Sequence, residues 1–382
     1  MNVVLALDRL VTGPAAAPIQ RGIGILGATG YSGIELIRLL AQHPRAEVRA
    51  VSSRQHAGLH LDQVWPSLGR RELVLDDDPA DPRPWVERGV EIVFAALPHG
   101  AVAGRAREFL AAGVRLIDLS ADFRLRDPVD FARHYGLEHP ATDLLPGAVY
   151  GLTEWCGEEL SAARLVANPG CYATATLLAL LPAVSAGLWS GGPLVVNALS
   201  GVSGAGRTAT LTSHYAECAN GASPYRVGEE HAHLGEMRQA LLAAAAGAEW
   251  RESAPPASAA SLALLFNPVL VPMTRGILVS AAVPLAHPMS LAEVQAVYEQ
   301  RYAAHPCVRV LGAPALPETR HVRGSNRCDL AVRVGAAGTV LLVFAAIDNL
   351  VKGAAGQAIQ NWNRMEGWPE TTGLPLEGWA CA

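Results

Sequence analysis

At 382 residues the chain is longer than one ordinary domain, and with half of it hydrophobic and 17% charged it excludes a disordered or coiled-coil protein and suits a buried α/β sheet. A net charge of −5, with no run of like charges that stands out, gives no electrostatic footprint for nucleic acid or an anionic membrane, so the expected partner is a small molecule. The six cysteines (Cys156, Cys171, Cys218, Cys307, Cys328 and Cys381) stand at no zinc-like spacing, so no metal is expected and the chain reads as a protein of a reducing, cytoplasmic compartment.

Residues 1–21 read as a loose N-terminal extension, because Asp8 and Arg9 interrupt the apolar stretch Val3–Leu7 and no basic segment precedes it. Gly22–Leu26 is a short apolar run, GATGYSG follows at 27–33, and the apolar residues of IELIRLLAQHP then recur at helical spacing: strand, glycine turn, helix. Pro44 ends that helix and Ala46–Arg54 reads as a second strand. Further strands at Val90–Ala96 and Val114–Leu119, with a helix between them, predict a doubly wound parallel sheet of Rossmann type. After about Gly170 the pattern changes to a helix over Cys171–Leu181 and strands at Pro193–Ser200, Ile277–Leu285 and Thr339–Asp348, which predicts an α+β domain. Leu165–Gly206 contains no Asp, Glu, Lys, Arg or His, yet Pro182, Gly187, Gly191, Gly192 and Pro193 cut it into pieces too short to span a bilayer, so a buried helix and strand are expected. Ala254–Ser261 reads as a surface loop, and Asn349–Met365 as a closing helix that packs back on the first domain.

The 27–33 segment fits G-x-x-G-x-x-G, a variant of the dinucleotide fingerprint in which Gly27, Thr29, Gly30, Tyr31, Ser32 and Gly33 bring bare backbone and a helix N-terminus to a pyrophosphate. An NAD enzyme typically ends its second strand in an Asp or Glu that takes the ribose 2′-hydroxyl. Here Ser52, Ser53 and Arg54 stand instead, and two hydroxyls and a guanidinium suit a 2′-phosphate, so NADP is the expected cofactor. Pro98, just past the Val90–Ala96 strand, is counted with the cofactor surface.

Cys171 follows the Asn168-Pro169-Gly170 turn at the start of an apolar periodic run, which places its thiol at a helix N-terminus. Free N–H groups and the helix dipole there are expected to lower the thiol pKa and make a nucleophile. A small buried hydrophobe is the competing reading of any single cysteine. A thiolate needs an acid and base, and Glu229–Glu236 crowds two histidines and three carboxylates into eight residues. If that segment is helical, His233 and Glu236 share a face and the carboxylate orients the imidazole and favours its protonated form, with His231 beside them. Arg124, in DLSADFR, and Arg207, closing SGVSGAGR with Ser203 and Gly204 as N–H donors, are candidate clamps for a phosphate or substrate anion.

Taken in order, GATGYSG, DLSADFRL, NPGCYAT, SGVSGAGR, H-x-H-x-x-E and NLVKGAAGQA resemble the N-acetyl-γ-glutamyl-phosphate reductases of arginine biosynthesis, within the aspartate-semialdehyde dehydrogenase superfamily. The resemblance runs from about Arg21 to the C-terminus. It implies a Rossmann domain of residues 22–169 and 349–382, with a catalytic and oligomerisation α+β domain inserted at 170–348, and a homo-oligomer, usually a tetramer. It implies that Cys171 is the nucleophile, His233 the acid and base with His231 adjacent, Glu236 the orienting partner, and Asn349 a contact to the nicotinamide. The substrate would be a small acyl phosphate. The family commonly has H-R-H-T-P-E where this chain has HAHLGE, so an altered acyl group, or one tethered to an acidic carrier protein as in a related branch, is an alternative. A non-catalytic NADP-binding regulator is the alternative from another class.

Overall fold

The computed structural model describes residues 20–208, 210–247 and 262–380. The expected Ala254–Ser261 loop and nearly all of the expected 1–21 extension lie outside the described residues.

Seven strands, β1 (Arg21–Leu26), β2 (Ala46–Ser52), β3 (Leu75–Asp76), β4 (Ile92–Ala95), β5 (Arg115–Asp118), β6 (Ala148–Tyr150) and β7 (Leu165–Ala167), form one sheet in the order β3-β2-β1-β4-β5-β7-β6. Every pairing in it is parallel. The apolar runs of β1 and β4 are buried on both faces, as a sheet sandwiched between helices requires. Strand order reverses between β1 and β4, and that switch point opens a crevice at the C-terminal ends of the strands.

The second sheet is mixed. Its strands, β8 (Leu194–Ser200), β9 (Ser223–Pro224), β10 (Leu264–Leu270), β11 (Ile277–Pro284), β12 (Val308–Leu311), β13 (Cys328–Gly335) and β14 (Val340–Ile347), run in the order β12-β13-β14-β11-β8-β10-β9. Residues alternate strictly along β11, so one face is buried against helices. The other face leaves Val195, Leu199, Leu265, Leu278, Leu342 and Phe344 only partly covered.

The Cys171 helix runs to Ser185, one turn past the expected Leu181, with Pro182 inside it. Proline lacks the N–H that would bond the carbonyl of Leu178. Tyr302 donates its hydroxyl to that carbonyl at 2.6 Å, and Tyr298 donates to Ala179 O at 2.7 Å, so the break in the ladder is repaired from a neighbouring helix. The whole helix sits in the core against β11 and β14. It is apolar all round because it is a core helix, and no described helix is long and apolar enough to cross a membrane.

The closing segment begins as a π-turn, Val351–Ala355, and continues as a helix over Gly356–Met365. Val351, Ile359 and Trp362 join the core built on Ile23, Ile25 and Phe94 of the first sheet. The chain thus returns to its first sheet and lays Asn349 and the π-turn at the mouth of the crevice.

Candidate active site

One continuous cleft of about 760 Å³ runs from the end of β2, across the glycine loop, to the N-terminus of the Cys171 helix. Its glycines are required by close approach: a Cβ on Gly33 would stand 2.4 Å from Gly27 O, and one on Gly27, whose φ is +73°, 2.3 Å from Ala96 O. The loop is therefore folded tightly on itself, with Gly30 as the N-cap of the Tyr31–Leu40 helix. Gly27, Thr29, Gly30, Tyr31 and Ser32 all line the cleft, while Gly33 packs beneath the loop. A bare turn opening on a helix N-terminus is the surface that a pyrophosphate takes, so the residues present fit a dinucleotide.

At the β2 end, Ser53 and Arg54 line the cleft and Thr29 Oγ1 lies 2.8 Å from Ser53 Oγ. Ser52 does not reach it: this side chain is fully buried and donates to Asp78 Oδ1 at 2.6 Å. At the other end Asn349 is fixed by two bonds, accepting from Gly276 N–H at 2.8 Å and donating to Ser203 Oγ at 3.0 Å. Pro98, Ser203, Gly204 and Arg207 complete the lining, and Arg207 donates to Thr29 O at 3.1 Å with its guanidinium 4.5 Å above the Trp65 ring.

Cys171 is the first residue of its helix, capped by Gly170, and half-buried on the cleft wall. Thr174 N–H, bonding back to Gly170 O at 2.8 Å, opens the helical ladder, so the N–H groups of Cys171, Tyr172 and Ala173 precede it. The expected lowering of the thiol pKa is not what the free protein shows: burial pushes it up to about 11, outweighing the Arg124 guanidinium and the local N–H groups that pull the other way. Gly353 of the π-turn packs so closely on the base of the Cys171 side chain that an added Cβ would stand 2.8 Å from Cys171 Cβ and 3.2 Å from its Cα.

The histidine segment also departs from expectation. The helix starts only at Leu234 with His233 as its N-cap, so His231 and His233 lie in the turn before it and the shared helix face does not exist. His233 lines the cleft, its ring edge against Gly170, and its Nδ1 is buried without a hydrogen-bond partner. Burial, with the Arg124 charge next, drives its pKa well below the ordinary value of 6.5. His231 sits behind it, edge-on to Tyr172 and Phe266, accepts His233 N–H at Nδ1 (3.1 Å), and is held at about pKa 3 by burial.

Glu236 is not the orienting partner of His233. Its carboxylate accepts from Arg124 Nη1 at 3.1 Å, from the Tyr150 hydroxyl at 2.7 Å and from Gly170 N–H at 3.2 Å. Arg124 also lines the cleft, but it is buried there, donating to Asn168 O at 2.8 Å and Leu119 O at 2.9 Å as well. It clamps the turn that carries Cys171, which no local pattern announces.

Two family models cover these regions: "Semialdehyde dehydrogenase, NAD binding domain" matches residues 22–163 and "Semialdehyde dehydrogenase, dimerisation domain" matches 171–349. The chain is 45% identical over 352 residues to N-acetyl-gamma-glutamyl-phosphate reductase of Ectopseudomonas mendocina, covering 92% of this chain and 97% of that one. The chain belongs to this branch of the semialdehyde dehydrogenases. The reductase of Symbiobacterium thermophilum is 44% identical with the same coverage. Among solved structures, aspartate semialdehyde dehydrogenase II of Vibrio cholerae shares the fold at a TM-score of 0.67 and 18% identity, over 91% of this chain and 98% of that one. The Candida albicans aspartate semialdehyde dehydrogenase solved with NADP shares it at 0.65 and 18%, with the same coverage.

Within this semialdehyde dehydrogenase cleft the structure adds residues that sequence reasoning missed: Gln55, His56 and Asp78 by β2, and Asn168, Leu350, Gly353 and Ala354 around the thiol. Asp78 sits in the acidic run LDDDPAD, indistinguishable in sequence from a solvated turn. Gly353 carried a usable signal in its place within NLVKGAAGQA, a glycine inside a helical pattern. Among the described residues no cluster of side chains fit to hold a metal occurs.

Proposed function

We propose that the chain reduces N-acetyl-γ-glutamyl phosphate to N-acetylglutamate 5-semialdehyde with release of phosphate, using NADPH, through a thioester on Cys171. The observation that carries this reading is the placement of Cys171, at a helix N-terminus beside His233, in the same cleft as a dinucleotide loop. The relatives at 44–45% identity carry the same name for the reaction.

The Cys171 sulfur attacks the acyl carbon, the S–C bond forms, and phosphate leaves with the electron pair of the C–O bond. His233, neutral because of its depressed pKa, takes the thiol proton as the sulfur attacks. The N–H groups of Cys171, Tyr172 and Ala173 face the oxyanion that develops at the carbonyl. Gly27, Thr29, Gly30, Tyr31, Ser32, Ser53, Arg54, Pro98 and Asn349, which line the cleft, would hold NADPH, and the bound cofactor would supply the hydride needed to reduce the thioester. When the C–S bond breaks to release the aldehyde, His233 returns its proton to the sulfur. Arg124 and Glu236 hold the Asn168–Gly170 turn in place, Arg207 with Ser203 and Gly204 meets the substrate anion, and His231 fixes the backbone of His233.

A cytoplasmic homo-oligomer, a tetramer, belongs to the same proposal. Five described cysteines are free, as a reducing compartment keeps them. The partly covered apolar face of the second sheet supports association with further copies.

The test is reduction of NADP in the reverse direction with N-acetylglutamate 5-semialdehyde against other semialdehydes. Strict dependence on phosphate with preference for this semialdehyde supports the proposal. Turnover without phosphate overturns it, and activity confined to an acidic carrier-linked substrate reassigns the acyl group.

A further inference from the structure

We infer that Asp78 tempers the preference for NADPH, so that this chain also uses NADH with comparable affinity. The inference rests on the reading above that the cleft binds a nicotinamide dinucleotide, and adds to it a second cofactor and the residue that admits it.

The absence of an acid at the end of β2 argues for NADP on sequence grounds alone, because a carboxylate there would bind the ribose 2′-hydroxyl and repel a 2′-phosphate. In the folded protein a carboxylate is present there, supplied by Asp78, two residues past the end of the neighbouring strand β3. Ser53 N–H bonds Asp76 O at 2.9 Å, which ties the end of β2 to the end of β3. Two residues on, Asp77 Oδ1 accepts Asp78 N–H at 2.8 Å and turns Asp78 back over β2. Asp78 Oδ1 then accepts the Ser52 hydroxyl at 2.6 Å, and Oδ2 lies 3.2 Å from Arg54 Nε. Its side chain is 3% exposed yet lines the cleft beside Ser53 and Arg54, while Arg54 is 63% exposed. Ser52 in turn accepts Ala28 N–H at its carbonyl at 2.8 Å, so Asp78 is linked through one residue to the glycine loop.

This arrangement does two things at once. The ion pair leaves the terminal nitrogens of Arg54 without another ion-pair partner among the described residues, free to meet a 2′-phosphate. It also cancels that guanidinium charge with a buried carboxylate, so a phosphate dianion meets a neutralised site instead of a bare cation. A ribose 2′-hydroxyl meets an anionic acceptor of the kind that NAD enzymes use. Arg54 and Asp78 therefore each favour a different cofactor, and neither excludes the other.

The test is direct binding to the full-length enzyme without substrate, read from the fluorescence of the reduced nicotinamide, for NADPH and NADH separately. The wild-type protein is expected to bind the two within about tenfold of each other. Asp78→Asn, which keeps the shape and removes the charge, is expected to tighten NADPH and weaken NADH, each by roughly three- to tenfold, about the net worth of one ordinary hydrogen bond. Arg54→Gln, at an exposed position that does not threaten folding, is expected to weaken NADPH by about tenfold or more without weakening NADH, because it removes the cation that meets a 2′-phosphate and leaves the Asp78 acceptor in place. Wild-type protein that binds NADPH more than a hundredfold tighter than NADH overturns the inference, as does an unaltered ratio in Asp78→Asn or an unaltered NADPH affinity in Arg54→Gln. Those failures leave the reductase reading standing, whereas a wild-type protein that binds neither cofactor overturns both.

Discussion

Glu236 and Arg124, separated by 112 residues in sequence, form a buried ion pair at 3.1 Å directly beneath the turn that carries Cys171. Glu236 Oε2 also takes the Gly170 N–H, so the pair fixes the residue that caps the Cys171 helix. Glu236→Gln leaves the Arg124 charge buried without a counter-charge, a loss of about 3 kcal/mol. Thermal or urea unfolding is expected to show that loss, with partial recovery when Arg124→Met is added to the same chain. Unchanged stability in the single variant contradicts the pairing.

The raised thiol pKa has a direct readout. With its pKa near 11, Cys171 in the free enzyme is thiolate in roughly one molecule in ten thousand at pH 7. Its alkylation rate, followed by mass spectrometry of the Cys171 peptide, should climb about tenfold per pH unit through pH 9 with no plateau. A plateau below pH 8 would show that the helix N-terminus outweighs burial.

His233 is held neutral to well below pH 6.5, so the acid side of the kcat profile should stay flat through pH 6. His233→Asn is expected to lower kcat by about 10²- to 10⁴-fold and leave NADPH affinity intact. A wild-type acid limb centred near 6.5, or an Asn variant with near-normal kcat, counts against its role as the base.

Burial, and then the nearby Asp122 charge, raise the Asp118 carboxyl to about 7 from its ordinary 3.8. A carboxyl whose folded pKa exceeds its unfolded value binds its proton more tightly in the fold, so its contribution to stability declines as pH rises from about 4 to about 7. Oδ1 accepts Ser120 N–H at 2.8 Å, a bond that asparagine can keep. Asp118→Asn should therefore gain in Tm relative to wild type between pH 4 and pH 8. A gap that does not change with pH refutes the shift.

The parts of the molecule that were legible in sequence are those written locally. The glycine loop stands between an apolar run and a periodic helix, and the Pro-Gly turn before Cys171 announces a helix start. β3, β6 and β7 span only two or three residues, too short for any hydrophobic period to register. The partners of Glu236 and Ser52 lie on other elements, so pairing by helical spacing chose His233 for the first and left Asp78 unnoticed for the second. The thiol pKa failed for a related reason: local sequence shows the helix N-terminus but not the core closing around it. The π-turn that sets Gly353 on Cys171 begins inside what reads as one helix; the glycine marks the position, and its packing against Cys171 supplies the reason.

The central claim is that Cys171 carries the acyl group. Mixing the enzyme with N-acetyl-γ-glutamyl phosphate in the absence of NADPH, and analysing the quenched protein by peptide mass spectrometry, tests it most directly. The account predicts one acyl adduct, on the Cys171 peptide, removed by hydroxylamine and formed with stoichiometric release of phosphate. Release of phosphate with no adduct on Cys171, or full turnover by Cys171→Ser, would contradict it.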